Sequence, residues 1–139
     1  MQEDSFLRVI TSDINEIPEI SACLETLMRA HGFPEDDILD TQLAVEEAIT
    51  NIIVHGYRDA GGEITVSCRA GNGNVEVRLE DRAGPFDPLT IPEPDLASEV
   101  EERKIGGIGI FLIRQVMDEI RYRFEEGKNI LVLTKRKKA

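Results

Sequence analysis

Positive charge is in short supply in this chain. It carries 16 Lys and Arg against 27 Asp and Glu, a formal net charge of −11 at pH 7. Such a surface repels phosphate backbones and anionic lipid, so neither nucleic acid nor a membrane is an expected partner. A small phosphorylated ligand stays open, because one site can be locally positive on an acidic protein. Long apolar runs are missing as well. The longest uncharged, apolar-rich stretch is residues 105–113, far short of the ~20 residues a membrane span needs. The opening residues, MQEDSFLRV, have neither the basic start nor the apolar stretch of a secretion signal, and a cytoplasmic location is expected. Only two cysteines occur, Cys23 and Cys68, without CxxC spacing. Both fall on apolar faces, which predicts free, buried thiols in a reducing compartment. Internal repeats and low-complexity tracts are also absent.

What remains is an ordinary globular composition, 41% apolar and 31% charged over 139 residues. A chain of this length can build a core without disulfide or metal staples, and it reads as a single domain over residues 1–139. Residues 6–11 suggest a short strand. Ile20, Cys23, Leu24, Leu27 and Met28 follow the helical spacing i, i+3, i+4, i+7, i+8 within a predicted helix over 16–31, with Pro18 in its first turn and Gly32 as its stop. A second helix is predicted over 35–55, opened by Pro34 and closed by Gly56. Ile64, Val66 and Cys68, then Val75, Val77 and Leu79, alternate with polar residues on either side of AGNGN, a hairpin pattern. Residues 82–104 hold four of the six prolines and read as a long ordered loop or lid. A third helix from Gly106 to about Asp118 and two strands, 120–124 and 130–134, complete the chain, and the basic tail 135–138 reads as a solvated end. The order β-α-α-β-β-loop-α-β-β predicts an α+β fold, a two-layer α/β sandwich whose mixed, mostly antiparallel sheet has helices on one face.

Three features stand out from this frame. Glu47 and Asn51 are four apart on an otherwise apolar helix and so stack on one face, with His55 one turn further on. They fit a solvated stripe, but equally a carboxylate that takes a proton from an attacking hydroxyl beside an amide oxygen that ligates Mg²⁺. Asp81, at a strand end before Arg82-Ala83-Gly84-Pro85, fits a plain turn or an acceptor for an exocyclic amine, with small residues admitting a flat ring. Gly106-Gly107-Ile108-Gly109 puts three glycines into four residues at a helix start. That is costly unless a ligand needs the bare backbone, and a helix N-terminus offers N–H groups and about half a positive charge to an anion. The run does not fit the Walker A pattern.

Read in order, E-A-I-T-N, D-R-A-G-P-F-D-P and G-G-I-G-I-F-L-I-R resemble the GHKL (Bergerat-fold) ATPases, and within them the small anti-sigma-factor serine kinases of the RsbW type. The resemblance runs from about Phe6 to Thr134. It extends to the His-Gly-Tyr after the Asn helix and the Gly-Lys-Asn before the last strand. It implies that Glu47 is the general base and Asn51 the Mg²⁺ ligand that ties the metal to ATP. It implies further that Asp81 reads the adenine amino group with Gly84 beside it, and that Gly107 and Gly109 lie at the phosphate end under the Pro-rich lid. His55 becomes a neighbour of the nucleotide. Two departures show: Ala83 and Pro85 stand at glycine positions of the adenine motif, and Ile105 stands where a basic residue often meets the terminal phosphate. Lys104, next to Arg103, is the substitute expected to bind ATP there. The implied activity is Mg²⁺-ATP-dependent phosphorylation of a serine on a small anti-sigma-factor antagonist, with a sigma factor as second partner and a homodimer left open. The alternative is a nucleotide-gated binding module without transferase activity.

Overall fold

The computed structural model describes residues 4–58, 60–85, 87 and 107–138. Its elements are β1 (Ser5–Thr11), a 3-10 turn (Ile14–Glu16), α1 (Ile17–Ala30), α2 (Glu35–Asn51) and a widened helical turn (Ile52–Gly56). They continue with β2 (Glu63–Gly71), β3 (Asn74–Asp81), α3 (Gly107–Val116), β4 (Glu119–Glu125) and β5 (Lys128–Arg136). The strands form one sheet in the order β1-β2-β3-β5-β4. Every pairing among the described strands is antiparallel, so the sheet holds none of the parallel pairing that a mixed sheet would contain.

Both hairpins rest on backbone that the sequence announces. Asn72 and Gly73 take φ of 54° and 78°, and Glu126 and Gly127 take 52° and 77°. A two-residue turn with both φ values positive matches the strand twist, and Asn-Gly is its favoured pair. The alternation on β2 and β3 then sends Ile64, Val66 and Cys68, with Val75, Val77 and Leu79, to one buried face. Ile17, Ile20, Leu24, Leu27 and Met28 of α1 and Ile38, Ala44, Val45, Ala48 and Ile49 of α2 are buried in the same core cluster, with Ile110 and Ile113 of α3. Each such side chain contributes roughly 1.5–3 kcal/mol by leaving water, so this one layer contact dominates the stability. On the opposite face Val132 of β5 is also buried. Its cross-strand neighbours are Arg78 and Arg121, whose apolar stems can cover it while their charged heads stay wet.

Three expectations need correction. The second helix does not run regularly to residue 55. It ends at Asn51 and widens over Ile52–Gly56, where the Tyr57 N–H donates to the Ile52 carbonyl at 2.8 Å. Cys23 is only half-buried, whereas Cys68 is buried and its thiol is pushed up to about 12 by burial, so it is inert at neutral pH. The basic tail is a solvated end only over residues 136–138, which are exposed. Lys135 is 4% exposed, and the Lys138 backbone N–H donates to Asp37 Oδ2 at 3.0 Å. The strand period carries Lys135 onto the helix face after Asn129, Leu131 and Leu133. Of the predicted loop over 82–104, only residues 82–85 and 87 are among those described, and the lid reading lies outside them.

Candidate nucleotide site

The end of α2 meets the start of α3, and the turn that follows α2 reaches the loop after β3. Glu47 and Asn51 do share a face of α2, and Gly109 of α3 is laid against them. A Cβ at Gly109 would stand 3.0 Å from Glu47 Oε2 and 3.5 and 3.6 Å from the Asn51 amide atoms. A Cβ there would press on the Glu47 carboxylate and touch the Asn51 amide. The glycine is therefore explained by close approach, and the first turn of α3 lies beside the carboxylate and the amide. Gly107 opens this helix. Lys104 lies outside the described residues, as do Arg103 and Gly106.

The polar groups at this junction are not at rest. Asn51 is buried, and its Nδ2 has no hydrogen-bond partner among the described residues. An unsatisfied buried amide costs about 1–3 kcal/mol, so the position favours a ligand. Turning the amide over exchanges its oxygen and nitrogen, so the same vacancy suits an oxygen toward a metal ion or an N–H toward a phosphate. Burial raises the pKa of Glu47 above the ordinary carboxylate value, and the neighbouring Glu46 charge raises it further. Glu46 itself points elsewhere, accepting from Ser21 Oγ of α1 at 2.9 Å. Among the described residues no group of three or more His, Cys, Asp or Glu could hold a metal. A single amide donor is nevertheless the kind of partial site that Mg²⁺ occupies when a polyphosphate supplies other oxygens.

Asp81 closes β3 and is buried. Its Oδ1 accepts from the Ala83 N–H and from Asn129 Nδ2, each at 2.9 Å, which leaves Oδ2 for an incoming amine. Asn129 sits directly across the β3–β5 ladder from Asp81. It also donates to the Gly84 carbonyl at 2.6 Å, and the Tyr122 hydroxyl donates to its Oδ1. Gly84 has φ +97°, a conformation that favours glycine. Asn129 was not among the expected site residues. The sequence signal that could have found it is its register opposite Asp81, since both lie at the same end of alternating strands.

The widened turn joins the end of α2 to the loop after β3. A Cβ on Gly56 would come within 3.1 Å of Ala83 Cβ, so the chain around half-buried His55 rests on the loop after Asp81. Tyr57 secures that loop. Its hydroxyl accepts from the Arg82 N–H at 2.9 Å and donates to the Glu63 carbonyl at 2.7 Å. The Tyr57 ring fills the space that a side chain at Gly62 would need. Burial raises the Tyr57 pKa, with the Arg82 N–H opposing, so the phenol stays protonated and keeps both bonds at neutral pH. The structure thus gathers Glu47, Asn51, Gly109, His55, Asp81 and Gly84 along one edge, with Asn129 and Tyr57 holding the Asp81 end.

Residues 10–135 match the histidine kinase-like ATPase domain. A serine-protein kinase RsbW from Listeria monocytogenes is 38% identical over 109 residues, covering 75% of this chain and 69% of that protein. The RsbW of Bacillus cereus is 33% identical over 105 residues, covering 73% of this chain and 66% of its own length. Among solved structures, the RsbU and RsbW domains of a Mycobacterium tuberculosis protein align over 97% of this chain with a TM-score of 0.68 at 23% identity. The chain spans 33% of that structure, and this likeness speaks for the fold alone. The domain match and the relatives agree: the chain belongs to the histidine kinase-like ATPase domain family, in the branch of the RsbW proteins.

Proposed function

We propose that this protein is an ATP-dependent protein serine kinase and regulatory switch of the anti-sigma type. The observation that carries the reading is the approach of Gly109 to Glu47 and Asn51, with the Asn51 amide buried and unsatisfied. Adenine lies at Asp81 Oδ2 beside Gly84 and His55, and the phosphates lie at the start of α3, near Gly107 and Gly109, with Lys104 as their basic contact. Asn51 would hold Mg²⁺, which would supply charge neutralisation to the phosphates.

Glu47 acts as general base. Its carboxylate takes the proton of a serine hydroxyl on the partner, the serine oxygen bonds to the γ-phosphorus, and the bond from that phosphorus to the β,γ-bridging oxygen breaks, so that ADP departs with the electron pair. A carboxylate made more basic by burial suits this task, and the N–H groups of α3 meet the charge that develops. The relatives' name, serine-protein kinase, supports a protein serine as the acceptor; in this reading that serine belongs to a small anti-sigma-factor antagonist, with a sigma factor or another regulator as second partner. The setting is cytoplasmic; among the described residues no helix is long and apolar enough to cross a membrane. A second copy is also part of this reading. Leu7 and Val9 stand 59% and 54% exposed on the outer face of the edge strand β1, which supports a covered face there.

The test is single-turnover transfer of labelled γ-phosphate to serine-bearing antagonist proteins encoded near this gene. Label on a partner serine, lost in Glu47→Ala with ATP binding retained, is the expected result. Tight Mg²⁺-ATP binding with no transfer to any such partner would replace the kinase by a nucleotide-gated binder.

A further inference from the structure

The end of α3 remote from the site is held by an unusual contact. Lys135, 4% exposed on the helix face of β5, sends its Nζ to the Val116 carbonyl at 2.5 Å and to Asp40 Oδ2 at 3.2 Å. Val116 is the last residue of α3, and Asp40 lies in the second turn of α2. A cation at a helix C-terminus meets both the free carbonyls and the negative end of the dipole. Two more bonds fix the same point: the Asp118 N–H donates to the Thr134 carbonyl at 2.9 Å, and the Arg136 N–H donates to Asp118 Oδ2 at 2.6 Å.

The two helices run antiparallel, since the early turns of α2 meet the end of α3 while Asn51 at the end of α2 meets Gly109 near its start. At ten residues α3 is a rod of about 15 Å. Sliding such a rod along α2 at one end moves the other end by the same amount. Lys135 bonds both helices at the far end. A buried ammonium is a poor choice for stability alone, because an apolar side chain of similar volume is often as good or better. Its bonds do, however, define an axial position, which greasy packing does not.

We propose that Lys135 is a positioning residue for the nucleotide: it locks the register of α3 along α2, and so sets where the Gly107–Gly109 turn stands relative to Glu47 and Asn51. This rests on the proposed ATP site and adds to it a control point about 15 Å away, at the other end of the helix. The base end, built from Asp81, Asn129 and Gly84, does not depend on α3. Lys135 therefore governs affinity for the phosphates and not for adenosine.

The experiment compares ATP with adenosine, each titrated with Mg²⁺ by ligand-observed NMR, on the full chain and on Lys135→Met. The expected result is an ATP affinity about tenfold lower with adenosine affinity unchanged within about twofold, as small misplacements of a reacting or binding group are costly. Equal losses for both ligands would reduce Lys135 to general support of the fold and overturn the proposal, as would no loss for either. Wild-type protein that binds neither ligand would instead overturn the nucleotide reading itself, and the proposal with it. If Lys135→Met fails to fold, Asp40→Asn takes its place. Asp40 is more exposed, and its variant keeps the bond to Val116 while loosening the tie to α2. A loss of about threefold for ATP alone is then expected, and an unchanged ATP affinity refutes the inference.

Discussion

Replacing Gly109 by alanine separates what the site needs from what the fold needs. The added Cβ would sit 3.0 Å from Glu47 Oε2, tight but against the end of a side chain that can swing aside, and at ordinary contact distance from Asn51. Alanine in place of glycine favours a helix by up to about 1 kcal/mol. The two effects nearly offset, so the unliganded variant should melt close to wild type or slightly above. For 139 residues at about 2.1 cal/mol/K per residue, 1 kcal/mol corresponds to about 3 °C. Ligand at one hundred times its Kd stabilises by about 2.7 kcal/mol, so Mg²⁺-ATP should raise the wild-type Tm by about 9 °C. A tenfold weaker site under the same conditions gives about 1.4 kcal/mol, or about 5 °C. The assay is a thermal melt of both proteins, with and without Mg²⁺-ATP, in material shown to be free of nucleotide. A full wild-type shift in Gly109→Ala would mean that phosphate does not approach this turn. A large drop in the unliganded Tm would mean that the glycine serves packing instead.

Other outcomes follow from the same geometry. Glu47→Gln should be more stable than wild type at pH 7: a carboxyl whose pKa is raised in the folded state contributes fully below its ordinary value of 4.5 and loses that contribution as pH rises through the higher folded value. The difference should vanish in melts near pH 4 and below, and a variant less stable at pH 7 would refute the burial argument. Glu46→Gln keeps an oxygen for Ser21 but removes the charge that helps raise Glu47, so the acidic limb of the transfer-rate profile should move to lower pH; an unmoved limb would exclude that coupling. Asp81→Asn and Asn129→Ala should both weaken ATP and ADP alike, whereas Asn51→Ala should chiefly remove the gain in affinity that Mg²⁺ confers; calorimetry with and without metal tells these patterns apart. Glu47→Ala should keep Mg²⁺-ATP affinity within a few-fold and lose phosphoryl transfer by about a hundredfold or more, and transfer at the wild-type rate would refute its role as base.

Much of the fold could be read from periodicity because one face of each element is buried. The β2–β3 hairpin followed from alternation around Asn72-Gly73, and α1 from its spaced isoleucines and leucines with Gly32 behind them. Where the reading failed, tertiary contacts outweighed a local rule. A basic C-terminal run is usually solvated, but the ladder of β5 places Lys135 opposite Val75 on the helix face, where Asp40 and the Val116 carbonyl meet it. Extending the alternation of Leu131 and Leu133 by two residues would have flagged it. The widened turn at Ile52–Gly56 had no such signal. Its neighbours are the Tyr57 hydroxyl bonds to Glu63 and Arg82, partners that lie 6 and 25 residues away, so local spacing could not anticipate it. The i, i+4 pair Glu47 and Asn51 was legible, but its proximity to Gly109, 58 residues beyond Asn51 in the numbering, was not.

Some of the costs in this molecule fall together, although others, such as the buried Asp37 and Lys135, lie elsewhere. A carboxylate held above its ordinary pKa, an amide buried without a partner and glycines at the start of a helix each disfavour the folded chain on local grounds. A sequence selected for stability alone would replace them with a neutral side chain, an aliphatic side chain and alanine. They meet instead within contact of one another, at Glu47, Asn51 and Gly109. Local rules broken together in one place are a signal of a site where binding outweighs packing. The same logic ranks the edge internally. At the Asp81 end the polar groups already have partners, so that end is built in advance and holds its shape without ligand. At the Glu47–Asn51 end the groups are left wanting, so that end gains most when phosphate and metal arrive. In the proposed site, affinity for the base would therefore rest on the prebuilt Asp81 end, and discrimination between nucleotides with different phosphate chains on the Glu47–Asn51 end.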